Sequence, residues 1–323
     1  GLDKSLLREF FAKKGLEIDF FPYYKVFNEQ TDFENNIILH DSIEDTNYYY
    51  KSYMEDIIYA LELHGAHVIP GFKYIKAHNN KVFMEMLRFS TGNHSICNLE
   101  SKHYGCYEEF CSDRNEPLYP AVIKGAQDAQ GRQVRLGVSR KKLEKAIKHL
   151  SRTRSTYREL WEFGRQIKYK GYIKESKYRG KFILQTFIPN LPNDWKILIF
   201  NDKYYILKRG VPEGDFRASG SKFDYKFGSK ADPPSGVFDY AKSVFKTFNV
   251  PYISLDIGYD GNSFFLIEFQ FVSFGSSTQL KSDCFFCQDD TDDWHPKYNK
   301  YELEELYCDA IVAYLLRNSL ISK

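Results

Sequence analysis

Two stretches near the C-terminal end of this 323-residue chain limit its fold most. Ile253-Ser-Leu-Asp256-Ile-Gly-Tyr-Asp260 and Phe264-Phe-Leu-Ile-Glu268-Phe-Gln270-Phe271 both alternate apolar residues with others. That period is the signature of a strand buried on one face. Asp260-Gly-Asn-Ser263 between them has the residues of a turn. A hairpin loop of Gly261 to Ser263 sets Asp260 against Phe264 and Asp256 against Glu268. Ile253, Leu255 and Ile257 then share an apolar face with Phe265, Ile267, Phe269 and Phe271. The other face presents Asp256, Glu268 and Gln270. Opposed carboxylates repel across a sheet, so a positive charge is expected between them. Hard oxygen ligands clustered in this way suit Mg²⁺.

The length supports a full core in one to three domains. A net charge of +2 leaves no basic footprint for nucleic acid. With 27 Phe and 25 Tyr, aromatic residues make up 17% of the chain, which favours packed sheets over disorder. No run of eighteen apolar residues is present, so no membrane span is expected. Neither nucleic acid nor a membrane is expected as a partner. Gly1-Leu-Asp-Lys4 has no apolar signal core. The six cysteines are too few for a disulfide scaffold, and reduced thiols in a cytoplasmic enzyme are the expectation. Cys284-Phe-Phe-Cys287 with His295 has the spacing of half a zinc site.

Asn36 to His40 reads as a strand, Tyr50 to His64 as a helix closed by Gly65, and Ala66 to Pro70 as a second strand. Strand, helix, strand over this length makes a βαβ unit with a parallel sheet. Its first turn lacks a glycine-rich fingerprint, so no dinucleotide site is expected there. A helix capped by an Asn follows from Lys81 to Arg88, with Asn79 and Asn80 ahead of it. Ser90 to Leu118 reads as irregular, or as strands that the pattern does not place. Pro120 to Gly125 is a strand ending in Lys124, then a small polar loop to Arg132, then an extended stretch at Gln133 to Leu136. Arg140 to Leu150 is a basic amphipathic helix. Lys181 to Ile188 is a strand. Asp194 to Phe200 and Tyr204 to Arg209 form a hairpin around Asn201-Asp-Lys203. Helices are expected over Phe238–Phe248 and Tyr301–Arg317.

The second half thus joins antiparallel strands, a small-residue loop and a carboxylate cluster to the cations Lys124, Lys196, Lys208, Arg209 and Arg217. Lysine at a strand end beside a flexible loop can neutralise phosphate as a point charge. Arg217 lies in Gly214-Asp-Phe-Arg217-Ala-Ser-Gly220, whose small residues let a ligand approach. Cations around a metal-binding carboxylate pair are what ATP phosphoryl chemistry requires.

In order and spacing these pieces resemble an ATP-grasp enzyme, in the style of the ribosomal-protein glutamate ligases. The resemblance covers Asn80 to about Phe274. Ala121-Val-Ile-Lys124-Gly125 resembles the strand whose lysine holds the α- and β-phosphates, and Gly125 to Arg132 the lid over them, though with fewer glycines than usual. Gln185-Thr-Phe187-Ile188 resembles the adenine hinge, with Thr186 where an acid is common. Asp194-Trp-Lys196 resembles an Asp-x-Arg strand start with lysine for arginine. Asp256, Glu268 and Gln270 fall on metal-ligand positions, with glutamine where asparagine is usual.

The resemblance implies an α/β fold, α+β in its C-terminal part: an ATP-grasp fold preceded by a βαβ domain. The divisions would be an N-terminal α/β domain over 1–78, a central and lid part over 79–190, and a metal-bearing antiparallel part over 191–323. It implies an ATP-dependent carboxylate–amine ligase working through an acylphosphate, with Mg-ATP bound between two subdomains. Arg217, Lys208 and Arg209 would be catalytic. Lys81, Lys124, Gln185, Phe187, Ile188, Lys196, Lys208 and Arg217 would bind ATP. Asp256, Glu268 and Gln270 would hold two Mg²⁺, which Mn²⁺ can replace. Substrates would be a carboxylate and an amine, drawn from amino acids, peptides or carboxylated sugars, and the resemblance allows a homodimer. His40, Asp41 and Ser42 end the first strand, where open α/β sheets place ligands, and Ser273 to Gln279 follow the last metal ligand as candidates for the acceptor pocket. A small-molecule kinase is the alternative outcome, and a zinc-stapled domain without catalysis a lesser one.

Overall fold

The computed structural model describes residues 2–43, 45, 48–127 and 133–322. The chain divides into two compact units, one of Gly1–His78 with Asn190–Lys323 and one of Asn79–Pro189.

The first unit opens with α1 (Lys4–Lys13), β1 (Ile37–Leu39), α2 (Tyr49–Leu63), β2 (His67–Ile69) and α3 (Phe72–Ala77). β1 and β2 pair in parallel, with Ile38 against Val68, so the expected βαβ unit forms. The buried stripe of α2 is Met54, Ile58 and Leu61, packed with Val26, Phe33, Val68 and Ile75. Gly65 closes α2 at φ +79°, a conformation that glycine adopts without steric cost.

The second unit contains α4 (Lys81–Ser90), β3 (Ser101–Tyr104), α5 (Tyr107–Ser112), β4 (Ala121–Gly125), β5 (Val134–Gly137), α6 (Arg140–Leu150), α7 (Thr156–Lys168) and β6 (Phe182–Thr186). Its sheet runs β3-β6-β4-β5 and is antiparallel throughout. Ala121, Ile123, Phe182 and Leu184 pack against Leu143 and Ile147 of α6. On the other face Ile183 packs with Val82 of α4. The unplaced stretch Ser90 to Leu118 supplies β3 and α5. The loop expected as a lid includes residues 128–132, which lie outside the described residues.

The first unit resumes with β7 (Asn193–Phe200), β8 (Lys203–Gly210), β9 (Lys226–Phe227), α8 (Val237–Phe248), β10 (Tyr252–Tyr259), β11 (Phe264–Gln270), α9 (Ser277–Lys281), β12 (Phe285–Gln288), β13 (Trp294–Lys297) and α10 (Leu303–Arg317). The large sheet runs β11-β10-β7-β8-β12-β13, with β9 against β8. α8 covers one face, where the Phe248 ring lies 4.8 Å from Phe269 and 5.0 Å from Phe271. α10 covers one end of the other face, where Tyr307 lies 5.2 Å from Phe200 and 4.7 Å from Tyr252.

Both hairpins differ by one residue from expectation. Phe200 pairs with Lys203, so the β7–β8 turn is Asn201-Asp202 alone, with Asn201 at φ +53°. Tyr259 pairs with Phe264, so the β10–β11 loop is Asp260 to Ser263. The Asp260 carboxylate closes it by accepting from the Asn262 and Ser263 N–H groups at 2.9 and 2.8 Å. A bulge at Ile267 then restores Asp256 to its place opposite Glu268. It also changes which side chains face inward. Leu266, Phe269 and Phe271 are buried, whereas Phe265 and Ile267, expected on that face, are half-buried.

Candidate active site

The charged end of the large sheet is set by register. Asp194 pairs with Arg209 across β7 and β8, Lys196 with Asp256 across β7 and β10, and Asp256 with Glu268 across β10 and β11. Paired residues share a face, so these five side chains stand together. Arg209 is the hub. Its Nε and Nη2 donate to the two oxygens of Asp194 at 2.6 and 2.8 Å, and Nη2 also reaches Oδ2 of Asp256 at 2.9 Å. Lys196 Nζ donates to Oδ1 of Asp256 at 3.3 Å. The cation expected beside the carboxylates is therefore present, supplied by the protein itself.

Burial works to raise the Asp256 pKa, but Arg209 and Lys196 outweigh it and hold it down to about 2. Burial pushes Asp194 upward, as does the nearby Asp256 charge, against the pull of Arg209. Burial opposes the charge of Arg209, yet the two carboxylates raise its pKa further above the ordinary value. Arg209 is thus a permanently charged clamp that fixes Asp256 as a carboxylate.

Lys208, expected beside Arg209 as a catalytic cation, pairs with Trp195 and projects from the opposite face. It does not join the cluster. Arg217 is held within its own loop, its Nε and Nη2 donating to the Asp215 carboxylate at 3.0 and 2.9 Å. This pairing lowers the Asp215 pKa and raises that of Arg217. Gln270 sits opposite the buried Ser254 on the Asp256 face. Just beyond it, the Ser42 N–H donates to Ser273 Oγ at 3.0 Å, and that hydroxyl also meets the Asp41 carboxylate and the Ser42 carbonyl. The His40 ring bonds the Pro70 carbonyl at 2.6 Å. The end of β1 and the exit from β11 are therefore joined within the first unit.

In the second unit Lys124 and Gln185 share the face of Ile183, since Lys124 pairs with Ile183 and Gln185 lies two residues on. Both are buried, as is Lys81 at the start of α4. Asn80 caps that helix through the Phe83 N–H at 3.3 Å, and the Lys81 N–H bonds the Ala126 carbonyl at 2.9 Å. A Cβ at Gly125 would meet the Gln133 side chain, whose amide end would have to move aside. Phe187 and Ile188, just past β6, are half-buried.

No family model and no curated protein sequence matches the chain. Solved structures do. D-cycloserine synthetase DcsG superposes with a TM-score of 0.55 at 12% identity, covering 97% of this chain and 94% of that one. A RimK domain ATP-grasp protein from Sphaerobacter thermophilus gives 0.54 at 12% identity, with coverage of 95% and 94%. The ATP-grasp ligase PsnB, solved with a phosphomimetic precursor variant, Mg and ADP, gives 0.52 at 12% identity, with coverage of 96% and 94%. The chain has the ATP-grasp fold.

Within that fold, one feature escaped the sequence reading. In the sequence Asp194 reads only as the start of a strand, yet it is the bidentate partner that locks Arg209. A two-residue turn at Asn201-Asp202 would have put it opposite Arg209. Cys287 pairs with His295 across β12 and β13, but among the described residues Cys284, Cys287 and His295 are not spaced for one ion. Cys284 and Cys287 are buried, Cys287 within the core, whereas His295 is exposed and pairs with Asp289 at 2.8 Å. Among the described residues, the acidic, histidine and cysteine side chains spaced for one ion are Asp289, Asp293 and His295, all exposed.

Proposed function

We propose that the protein is an ATP-dependent carboxylate–amine ligase. The observation that carries this reading is the Asp256–Glu268 pair on the charged face of an ATP-grasp sheet, with Asp256 kept ionised by Arg209 and Lys196. The names of the structural neighbours, a synthetase and a ligase among them, support the same class of reaction.

Asp256, Glu268 and Gln270 offer only hard oxygen donors, a set that fits Mg²⁺. Bound there, the metal would supply charge neutralisation for the phosphates of ATP. Lys124 and Lys81 would meet phosphate oxygens as point charges. The Gln185 amide Nε2 is buried and has no hydrogen-bond partner among the described residues, as suits a donor reserved for the nucleotide. Phe187 and Ile188 would provide the apolar wall for the base. Arg217, released from Asp215, would steady the phosphoryl group in transfer and then the oxyanion of the tetrahedral adduct. Arg209 is a positioning residue here, acting through Asp256.

In the reaction a substrate carboxylate oxygen attacks the γ-phosphorus of ATP, and ADP leaves. An amine then adds to the acyl carbon and phosphate leaves with the C–O bond electrons, giving an amide. No protein nucleophile takes part, so the rate comes from positioning and charge. Residues 1–78 and Ser273 to Gln279 would help hold the acceptor.

The test is a panel of carboxylates, from amino acids to peptides and carboxylated sugars, read as ADP release with and without an added amine. A ligase forms a product of amide mass, whereas a kinase accumulates a phosphorylated carboxylate or alcohol that is indifferent to amine. Glu268→Gln should lower ADP release by about a hundredfold or more with the fold unchanged. Activity within about threefold of the parent overturns the metal assignment.

A further inference from the structure

In the second unit, helix α7 is turned inside out. Its N-terminus is capped by Ser155, whose side chain accepts from the Arg158 N–H. Its one buried residue is Glu162. Glu162 accepts from the Tyr172 hydroxyl and lies 3.6 Å from Arg154, and Glu159 lies 2.9 Å from Lys174. The helix is therefore tethered through its acidic side. At about 100° per residue, Glu159 and Glu162 fall across the helix from Tyr157, Leu160 and Trp161, with Ile167 on the flank nearer Glu159. Those four are 55 to 79% exposed, and Ile173, just past the turn at Gly171, is 87% exposed. Neighbouring α6 does the reverse and buries Leu143 and Ile147 completely.

Charge follows the same segment. Residues 140–181 hold 15 Lys and Arg against 4 Asp and Glu, a net +11, while the rest of the chain holds 30 against 39, a net −9. The overall +2 conceals this division. Arg158, Lys168 and Lys170 are exposed, Arg158 beside the apolar stripe and Lys168 within it at the C-terminal end. Arg165 lies over the Trp161 ring at 4.8 Å and Lys168 over Tyr169 at 5.3 Å.

We propose that α7 is an interfacial helix that lays its aromatic stripe into the surface of an anionic lipid bilayer. The stripe is apolar and rich in Trp and Tyr, and it is flanked by cations whose stems can lie along it while their heads reach lipid phosphates. The helix is a convex ridge, which a deformable surface accepts and which a grooved partner would have to be built around. A second copy would bring the same exposed cations, Arg158, Lys168 and Lys170, against one another, which disfavours self-association through this face. No described helix is long and apolar enough to cross a membrane, so attachment is to the surface. The expectation of no membrane partner follows from apolar run length, which does not sense this arrangement. The proposal does not depend on the ligase reading.

The test is flotation of the full chain with vesicles of phosphatidylcholine, alone or mixed with phosphatidylserine. Binding is expected only with the mixed vesicles, and high salt should weaken it. L160S/W161S and R158E/K168E should each reduce the bound fraction about tenfold. These positions are exposed, so thermal unfolding should not change, which separates lost binding from lost folding. No flotation with mixed vesicles at low salt overturns the proposal, as does binding that both double variants retain. A dimer by light scattering that L160S/W161S dissociates, without vesicle binding, assigns the stripe to a second copy instead. Binding to an acidic amphipathic peptide with vesicles ignored assigns it to a protein partner.

Discussion

One face of the large sheet is built in two ways along the same strands. On β7, Asp194 and Lys196 lie at one end and Leu198 and Phe200 at the other. The apolar end packs Leu198, Phe200, Tyr205 and Tyr252 with residues of α10. It gains from area removed from water, a non-directional effect that tolerates local change. The charged end holds Asp194, Arg209, Asp256 and Lys196 by mutual pairing alone. Every member there depends on another, and desolvation opposes all of them. The apolar end therefore stabilises the sheet, and the charged end fixes the protonation and position of one carboxylate.

The largest effect should come from removing the hub. Arg209→Met leaves Asp194 and Asp256 buried with only Lys196 to offset them. Unfolding in urea should show a loss of about 4 kcal/mol, within the range for breaking a buried pair from one side. ADP release should also be lost. The triple change Asp194→Leu, Arg209→Met, Asp256→Leu removes both carboxylates with their shared cation and leaves only the half-buried Lys196, so its stability should recover most of the loss without restoring activity. A triple variant as unstable as Arg209→Met would show that packing, and not stranded charge, governs this end.

At the other end, Leu198→Ala should cost about 3 kcal/mol through lost burial and the cavity left behind. Below its unfolding temperature it should keep ADP release within about threefold of the parent. A large fall in activity without a fall in stability would mean that the two ends are not separable.

How far the sequence revealed these ends depends on single residues. The strands, the Asn80 cap and the βαβ unit follow from local patterns that tertiary packing reinforces. Register does not follow so directly, because one residue of loop length turns a strand over. Taking Lys203 into the β7–β8 turn places Lys208 opposite Lys196, whereas the observed turn places Arg209 opposite Asp194. In β11 the longer loop alone would set Ile267 against Asp256, and the bulge corrects the register. A bulge needs no special residue type, so Phe264-Phe-Leu-Ile-Glu268 reads equally well without one. Over Thr156–Lys168, where α7 forms, the sequence reading places no element, and finding the helix would still leave its orientation open. Amphipathicity reports that a helix has an apolar side, but not that the side faces inward.

Acid should distinguish the ends next. The Asp256 pKa is about 2 in the folded protein, below the ~3.9 of an unfolded aspartate. A depressed carboxylate pKa gives stabilisation that is complete above the unfolded value and is lost as pH falls toward the folded one. The stability difference between the parent and Asp256→Asn should therefore be level near neutrality and shrink as pH falls below the unfolded value of ~3.9. Asp194, whose pKa is raised, works in the opposite sense and softens this fall. In an Arg209→Met background the acid-dependent difference should vanish or reverse, because the main attraction on Asp256 is gone. Leu198→Ala should leave it unchanged.

The smallest effect is expected at Lys208, and it is the most discriminating for register. Lys208 neighbours Arg209 in sequence but lies on the face covered by α8, opposite Trp195 and Lys226. Lys208→Ala should change stability by less than about 0.5 kcal/mol, as for a substitution that strands no buried partner. ADP release should stay within about threefold, measured at saturating ATP and again near half-saturation. A selective rise in the KM for ATP would bring Lys208 to the phosphates and show that β8 presents both cations to the nucleotide. A fall in kcat comparable to that of Arg209→Met would mean that the Asn201-Asp202 turn is one residue longer than observed, with Lys208 and not Arg209 facing Asp256.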